Sequence, residues 1–263
     1  MALRKPIRVV LFGAGGRMGA ALVPVFTEAS QFQVTGALVR HGDPRTGRGV
    51  PAMPVLSYRT RWPDEGADVA IDFTRADGFD SVLAECLRRR CPLISGTTGL
   101  SAEQQAAMVE AARHIPIMWA SNFSLGMALL RRLVSIASAS LHDYDCEIVE
   151  IHHRRKRDSP SGSALSLGEA VAEARRVAHA ELMSSRPTGP QSGGRASGQI
   201  GMHSLRLGES VGEHSVVFAS TVERIELTHR ATDRAVFAQG ALKAAEWIAR
   251  KSPGSYRIDD VLG

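Results

Sequence analysis

The chain has 263 residues, 44% of them hydrophobic and 22% charged, a formal net charge of +5 and three cysteines. That length accommodates one or two domains with a buried core, and Cys86, Cys91 and Cys146 are too few and too oddly spaced for a disulfide framework or a zinc site. The basic balance suits anionic ligands. No stretch approaches a membrane span, and glycines cut the short apolar run near the start, so neither a span nor a signal peptide is expected.

The β-branched run I-R-V-V-L-F at 7–12 predicts a buried strand. Gly13-Ala14-Gly15-Gly16-Arg17-Met18-Gly19 follows, then an amphipathic helix to about Ser30. Strand, glycine-rich turn and helix together open a dinucleotide fold, with the backbone close to the pyrophosphate and the helix start facing its charge. Met18 stands where the last glycine of G-x-G-x-x-G would be, so the spacing is G-x-x-G-x-x-G, and a tight turn without a ligand is the alternative. A second strand is expected at 33–39. The carboxylate usual near its end is replaced by Val39, and Arg40 follows. An arginine there favours the 2′-phosphate of NADPH; Asp43 can still reach a ribose, which keeps NADH open, and a merely solvated Arg40 is the plain alternative. Residues 42–66 read as loop with one short strand near 54–57. Strands at 68–73, 91–95 and 115–120 alternate with helices at 77–90 and from 101, the latter opened by a capping box, Ser101 to Gln104. Thr97, Thr98, Ser121 and Asn122 lie at strand ends, where ligands sit in such sheets. Their hydroxyls and amides suit a nicotinamide carboxamide, or are ordinary turn residues.

The alternation then breaks. A long helix is expected at 124–141, a strand at 144–151, a helix at 164–183 and a mobile loop at 184–198. Strands at 199–207, 214–220 and 222–229 follow, and a last helix at 233–251 must bury its apolar side against the first domain. Consecutive strands with short links suggest an antiparallel or mixed sheet. Between strand and helix stands E-I-H-H-R-R-K-R-D-S-P-S-G-S-A at 150–164, where His152 to Arg157 are six consecutive residues able to carry positive charge. The small polar residues before Ala164 are helix-start chemistry, and a helix start holds anions. Imidazoles, an ammonium and backbone N–H groups thus converge on a site for a small dicarboxylate. A solvated loop and a nucleic-acid patch compete with this reading, but no aromatic residue interleaves the cations for base stacking. Lys156 is one of four lysines against 28 arginines, a compact ammonium able to release a proton where arginine is the rule.

G-A-G-G-R-M-G at 13–19, I-D-F-T-R at 71–75, G-T-T-G at 96–99, N-F-S at 122–124, E-I-H-H-R-R-K at 150–156 and P-S-G-S-A at 160–164 together resemble the dihydrodipicolinate reductase (4-hydroxy-tetrahydrodipicolinate reductase) family of the bacterial diaminopimelate–lysine pathway. The likeness spans essentially the whole chain. Its specific mark is the doubled histidine with a lysine four residues after the first, followed by P-S-G. It implies an oxidoreductase that reduces a cyclic dicarboxylate, 4-hydroxy-tetrahydrodipicolinate, to tetrahydrodipicolinate with NAD(P)H; Arg40 carries the expectation that NADPH is preferred to NADH, and three thiols without a disulfide framework suit a cytoplasm. It also implies a homotetramer joined through the sheet of the second domain; the cysteine spacing, the absence of aromatics among the cations and the lack of a long apolar stretch lead us to expect no metal, nucleic-acid or membrane partner.

Residue by residue, the resemblance implies that Gly13, Ala14, Gly15, Gly16, Arg17 and Met18 cradle the pyrophosphate and that Arg40 meets the 2′-phosphate. Gly96, Thr97 and Thr98, with Ala120, Ser121, Asn122 and Phe123, would line the nicotinamide end. Phe73, Thr74, Arg75 and Arg234 would also touch the cofactor. His152 takes the role of proton donor and acceptor and Lys156 that of second proton donor, while His153, Lys156, Ser161, Gly162 and Ser163 hold the substrate. Two positions depart from the family: Val39 replaces a common acidic residue, and Ser163 replaces a frequent threonine but keeps the hydroxyl.

The expected architecture is α/β: a Rossmann-like doubly wound parallel sheet from 1–123 with 234–263, and a second α+β domain, 124–233, whose mixed or antiparallel sheet serves substrate binding and oligomerisation. Arg154, Arg155, Lys156 and Arg157 are expected to lower the pKa of His152, and a bound dicarboxylate to raise it. The competing enzyme reading is an amino-acid dehydrogenase acting on a dicarboxylic imine. A nucleotide-sensing binding protein is the reading from another class.

Overall fold

Runs of Val, Ile and Leu build the first sheet, in a computed structural model that describes residues 5–177, 182, 183, 195 and 198–263. The chain divides into two compact units, Met1–Leu125 with Ala235–Gly263, and Gly126–Arg234.

In the first unit β1 (Ile7–Phe12), β2 (Phe32–Leu38), β3 (Gly49–Val50), β4 (Met53–Arg59), β5 (Val69–Asp72), β6 (Leu93–Ser95), β7 (Pro116–Trp119) and β13 (Gly254–Tyr256) form one sheet in the order β13-β7-β6-β5-β1-β2-β4-β3. Every neighbouring pair is parallel except β3 with β4. Parallel strands covered on both faces read as continuous apolar runs, and Val9, Val10 and Leu11 are wholly buried. Leu22 and Phe26 of α1 (Arg17–Glu28) and Ala238, Ala241 and Ala245 of α6 (Ala235–Ile248) cover one face. Phe79 and Val82 of α2 (Ala76–Arg89) and Ala111 of α3 (Ala102–Ala111) cover the other. A Cβ on Gly240 would fall 1.6 Å from the Phe123 carbonyl oxygen, so this turn of α6 packs against the segment after β7 only because it has no side chain. The capping box is present: Gln104 N–H donates to Ser101 Oγ, and Ser101 N–H to Gln104 Oε1. From β1 the chain proceeds outward through β2 to β4, then crosses to β5 on the opposite side of β1. Such a reversal leaves a crevice beyond the carboxyl ends of β1 and β5.

Besides β3, which forms inside the stretch expected to be loop, three elements differ from expectation here. The short strand near 54–57 is the longer β4, paired with β2 through Ala37–Tyr58 and Leu38–Arg59; its Leu56 and Tyr58 are buried although the surrounding Gly, Pro and Arg read as loop. The C-terminal β13 and the 3₁₀ turn Ile258–Leu262 have no counterpart in the sequence reading. A three-residue strand has too few positions for a period, and pairing with β7 defines it.

The second unit holds α4 (Leu125–Ser140), β8 (Asp145–His152), α5 (Gly162–Arg175), β9 (Leu182–Met183), β10 (Ile200–Arg206), β11 (Gly212–Ala219) and β12 (Arg224–Ala231). The sheet order is β12-β11-β8-β10-β9. It is mixed: β10 runs parallel to β8 and β9, while β11 is antiparallel to β8 and β12. Leu130 and Val134 of α4 and Leu167 and Val171 of α5 pack on Cys146, Ile148, Ile200, Met202, Val216 and Phe218. Burying a side chain such as Phe218 contributes roughly 1.5–3 kcal/mol. The expected helix to 183 ends at Arg175 instead. Arg176 takes left-handed φ 56, and its N–H closes on the carbonyls of Ala172 and Glu173, which turns the chain out of the helix. The loop expected at 184–198 lies outside the described residues apart from Arg195 and Gly198. All three cysteines are free and buried, and burial pushes the Cys91 and Cys146 thiols up to about 12. Among the described residues no helix is long and apolar enough to cross a membrane.

Candidate active site

At the crevice of the first unit, Gly13 has φ 75, and a Cβ there would fall 2.5 Å from the carbonyl oxygen of Phe73. A Cβ on Gly19 would fall 2.2 Å from that of Ala14. The turn is therefore built of glycines because it lies directly on β5 and on itself. Ala14 is buried, and its N–H reaches the Leu38 carbonyl at 3.0 Å. Helix α1 starts at Arg17 behind Gly16, which supplies no side-chain cap. Helix-start N–H groups without a cap form a cradle for an anion, and the close glycine backbone leaves room for a pyrophosphate. These residues fit a dinucleotide. Arg17 lies exposed at that helix start and Met18 is half-buried behind it.

The nicotinamide-end candidates gather at the carboxyl ends of β5, β6 and β7. A Cβ on Gly96 would fall 2.2 Å from the Phe73 ring, which packs edge-on against Phe123 with centroids 5.5 Å apart. Ala120 N–H donates to the Ser95 carbonyl at 3.1 Å, and Asn122 Oδ1 accepts from Ser124 N–H at 2.8 Å ahead of α4. A residue the sequence did not single out organises them. Asp72 is fully buried, and its carboxylate accepts from Thr74 N–H at 2.9 Å, Thr74 Oγ1 at 2.6 Å, Ser95 Oγ at 2.7 Å and Thr97 Oγ1 at 2.8 Å. Thr74 and Thr97 thus spend their hydroxyl hydrogens inward and offer only lone pairs outward. Arg40, Arg75, Thr98 and Ser121 are exposed, and Arg75 faces Asp77 at 3.6 Å. Arg234 is exposed and is the last residue of the second unit. Asp43, the residue that kept a ribose contact open, is instead held by Arg45.

In the second unit, strand alternation decides the site. Cys146, Ile148, Glu150 and His152 share the helix-covered face of β8, as do Gly212, His214, Val216 and Phe218 on β11. Both strands are apolar at one end of the sheet and polar at the other. Registry sets Glu150 beside His214 and His152 beside Arg206. Glu150, 1% exposed, accepts from Arg206 Nη1 at 2.8 Å and Nη2 at 2.7 Å, from Ser161 N–H at 3.1 Å, and pairs with His152 Nδ1. A charged carboxylate only accepts, so His152 carries its proton on Nδ1 and presents Nε2 as the reactive nitrogen. A Cβ at Gly212 would lie 3.0 Å from that Nε2, so the glycine leaves its surroundings clear. Ser161 caps α5, its Oγ accepting from Ala164 N–H at 3.2 Å and pairing with His214 Nε2 at 3.2 Å. Gly162 is exposed and Ser163 half-buried in the first turn. His153 Nδ1 is buried with no hydrogen-bond partner among the described residues. Lys156 is paired with Asp158 at 2.8 Å.

Burial would raise the Glu150 carboxyl, but hydrogen bonds from Arg206, His152 and Ser204 outweigh it and hold the group at about 2. His152 is lowered from the usual histidine value, first by burial; Glu150 opposes, while Lys156 and Arg206 add to the lowering. The direction agrees with expectation, but the leading cause is burial, and Arg206 acts where Arg154, Arg155 and Arg157 were expected to. Burial, with the charge of His152, brings His214 down to about 4. Glu150, Arg206 and His214 were missed as a set. The signal was available for two of them, since a charge at 150 and a histidine at 214 fall in phase with the apolar residues of their strands. Arg206, far along the chain, gives none. Among the described residues no group of three or more His, Cys, Asp or Glu is placed to hold a metal.

Comparison with known proteins bears on the same residues. The family model for the N-terminus of dihydrodipicolinate reductase matches residues 7–123, and that for its C-terminus matches 126–262. A 4-hydroxy-tetrahydrodipicolinate reductase of Xanthomonas campestris is 44% identical over 257 residues, 98% of each chain. One from Xylella fastidiosa is 44% identical over 97% of this chain and 98% of its own. Among solved structures, a dipicolinate-bound dihydrodipicolinate reductase from Paenisporosarcina superposes with a TM-score of 0.77 over 96% of this chain and 97% of that one, at 23% identity, a likeness of fold. With both halves covered and a glycine-turn Rossmann unit joined to a unit bearing the paired histidines, the chain belongs to the dihydrodipicolinate reductase family.

Proposed function

We infer that the chain reduces 4-hydroxy-tetrahydrodipicolinate to tetrahydrodipicolinate in diaminopimelate and lysine biosynthesis, with NADPH preferred and NADH accepted less well. One observation carries the reading. A neutral imidazole held by a buried carboxylate, an ammonium and a helix start occupy one short segment of a chain 44% identical to 4-hydroxy-tetrahydrodipicolinate reductases. The first unit takes the dinucleotide on the glycine turn and α1, with Gly96 to Thr98 and Ala120 to Phe123 about its nicotinamide end and Phe73, Thr74 and Arg75 as further cofactor contacts; Arg234, the last residue of the second unit, is another. The second takes the dicarboxylate on His153, Lys156, Ser161, Gly162 and Ser163. The exposed Leu205 and Ile225 on its sheet support a homotetramer joined there, and a biosynthetic role supports a cytoplasmic setting.

The substrate's 4-hydroxyl leaves as water, and a reduced nicotinamide, when bound, would supply the hydride to the unsaturated ring that results. Lys156 and the first N–H groups of α5 neutralise the substrate carboxylates and the charge that builds on the ring nitrogen. His152 holds the proton that completes the reduction and delivers it from Nε2, while Glu150 keeps the ring in register. Free, the buried His152 titrates below the usual histidine range. Each substrate carboxylate at ~4 Å and an effective dielectric of ~20 is worth up to about 4 kcal/mol, or roughly three pKa units. Binding therefore charges the acid. Activity falls as pH rises through the pKa of the working acid, so that pKa is expected to be higher in kcat than in kcat/KM. Equal values in the two profiles would remove His152 from this role.

The function itself is tested by following oxidation of NADPH, then NADH, with freshly formed product of the upstream synthase. Oxidation with the cyclic substrate is expected. Its absence, together with turnover of open-chain keto acids and ammonia, would make the chain an amino-acid dehydrogenase.

A further inference from the structure

The loop after β2 carries three guanidiniums, Arg40, Arg45 and Arg48, and one carboxylate, Asp43. In a dinucleotide fold a carboxylate at this point ordinarily holds the 2′-hydroxyl of the adenosine ribose. Here the Asp43 side chain is turned inward, 7% exposed, and both of its oxygens are engaged. Oδ1 accepts from Arg45 Nε at 2.8 Å and Arg45 N–H at 3.0 Å, and Oδ2 accepts from Arg45 Nη2 at 2.8 Å. This two-pronged pairing fixes the plane of the guanidinium. Its remaining edge lies on the glycine turn: Nη1 donates to the Gly15 carbonyl, and a Cβ at Gly15 would fall 2.4 Å from Arg45 Cζ. Arg45 thus covers the side of the turn that faces the end of β2, where the ribose of a dinucleotide must lie. Arg40 is exposed at the start of the same loop, and its carbonyl accepts the Asp43 N–H at 3.1 Å.

We propose that Arg45, held by Asp43, is the second guanidinium of a 2′-phosphate clasp whose first is Arg40, and that Asp43 is the holder of Arg45 rather than a ribose ligand. The inference rests on the dinucleotide reading of the first unit. When NADPH binds, Arg45 Nη1 exchanges a neutral carbonyl for a phosphate oxygen without leaving Asp43, and a charge-assisted bond is about twice as strong as a neutral one. NADH gains nothing equivalent, because the carboxylate that would take its 2′-hydroxyl already accepts from Arg45 on both oxygens. Preference for NADPH is thereby set twice, by a cation supplied and by a carboxylate withdrawn.

The test is calorimetric titration of the full chain with NADPH and with NADH, with thermal unfolding as a check on folding. Arg45→Ala is expected to weaken NADPH by about tenfold or more and NADH by less than about threefold, with Arg45→Lys recovering part of the NADPH loss. Asp43→Ala frees the guanidinium and is expected to weaken NADPH by a smaller factor and leave NADH unweakened. An unchanged ratio of NADPH to NADH affinity in Arg45→Ala overturns the proposal. So does a tenfold loss of NADH binding in Asp43→Ala, which would mark Asp43 as the ribose ligand. A wild-type chain that binds neither dinucleotide removes the dinucleotide reading, and the clasp with it.

Discussion

Lys156→Ala is expected to lower kcat by a factor of about 10²–10⁴, the range over which a positioned acid or a transition-state cation acts. NADPH affinity should be unchanged, because Lys156 belongs to the second unit and the glycine turn to the first. Folding should also be unaffected: the partner left behind, Asp158, is largely exposed and returns to water. The ion pair has a second consequence. In the free chain Lys156 already has an anion at 2.8 Å, so a substrate carboxylate competes with Asp158 for the ammonium. Single-turnover measurement with saturating NADPH reads the chemical step directly. Wild-type turnover in Lys156→Ala would take the lysine out of the mechanism, and a proportional loss of NADPH binding would point to misfolding instead.

Glu150→Ala is expected to be the most destabilising single change in the second unit. It strips the acceptor from two Arg206 N–H groups, the Ser161 N–H and His152 Nδ1 in one step. Removing one member of a buried ion pair costs about 3–5 kcal/mol, since the other charge is left without a partner. Urea unfolding measures this loss, and a loss well under 1 kcal/mol would show the network to be dispensable. Glu150→Gln separates the structural role from the positioning role. It keeps the shape but removes the charge that raises His152, so the kcat/KM profile should shift its limb to lower pH. A profile at the wild-type position would mean that Glu150 supports the fold alone. The linkage has a definite sign. The Glu150 carboxyl is depressed to about 2 in the folded chain against an ordinary value near ~4.3. Its contribution is therefore complete above about pH 4.3 and is lost as pH falls toward about 2, so the two variants should lose less stability than wild type across that acid window.

Much of the fold was legible because local periodicity and global burial agree in it. β1, the glycine turn, α1 and the capping box at Ser101 stand where pattern and turn chemistry put them. Short or edge elements were not legible. β13 has three residues, and β4 is buried by its neighbours despite a loop-like composition. The end of α5 at Arg176 needed a non-glycine residue in the left-handed region, which composition does not announce.

The sequence by itself announced the candidate chemistry: a glycine turn that suits a dinucleotide, and imidazoles, an ammonium and a helix start that suit a dicarboxylate, each in one contiguous stretch whose spacing is its own signature. Tertiary structure alone decided which charges those groups feel. Glu150 meets Arg206 from 56 residues away, and Asp72 draws in the hydroxyls of Ser95 and Thr97 from the end of the next strand. A hydrogen bond or ion pair depends on distance in space and on exclusion of water, and strand registry and burial set both across stretches that the chain keeps far apart.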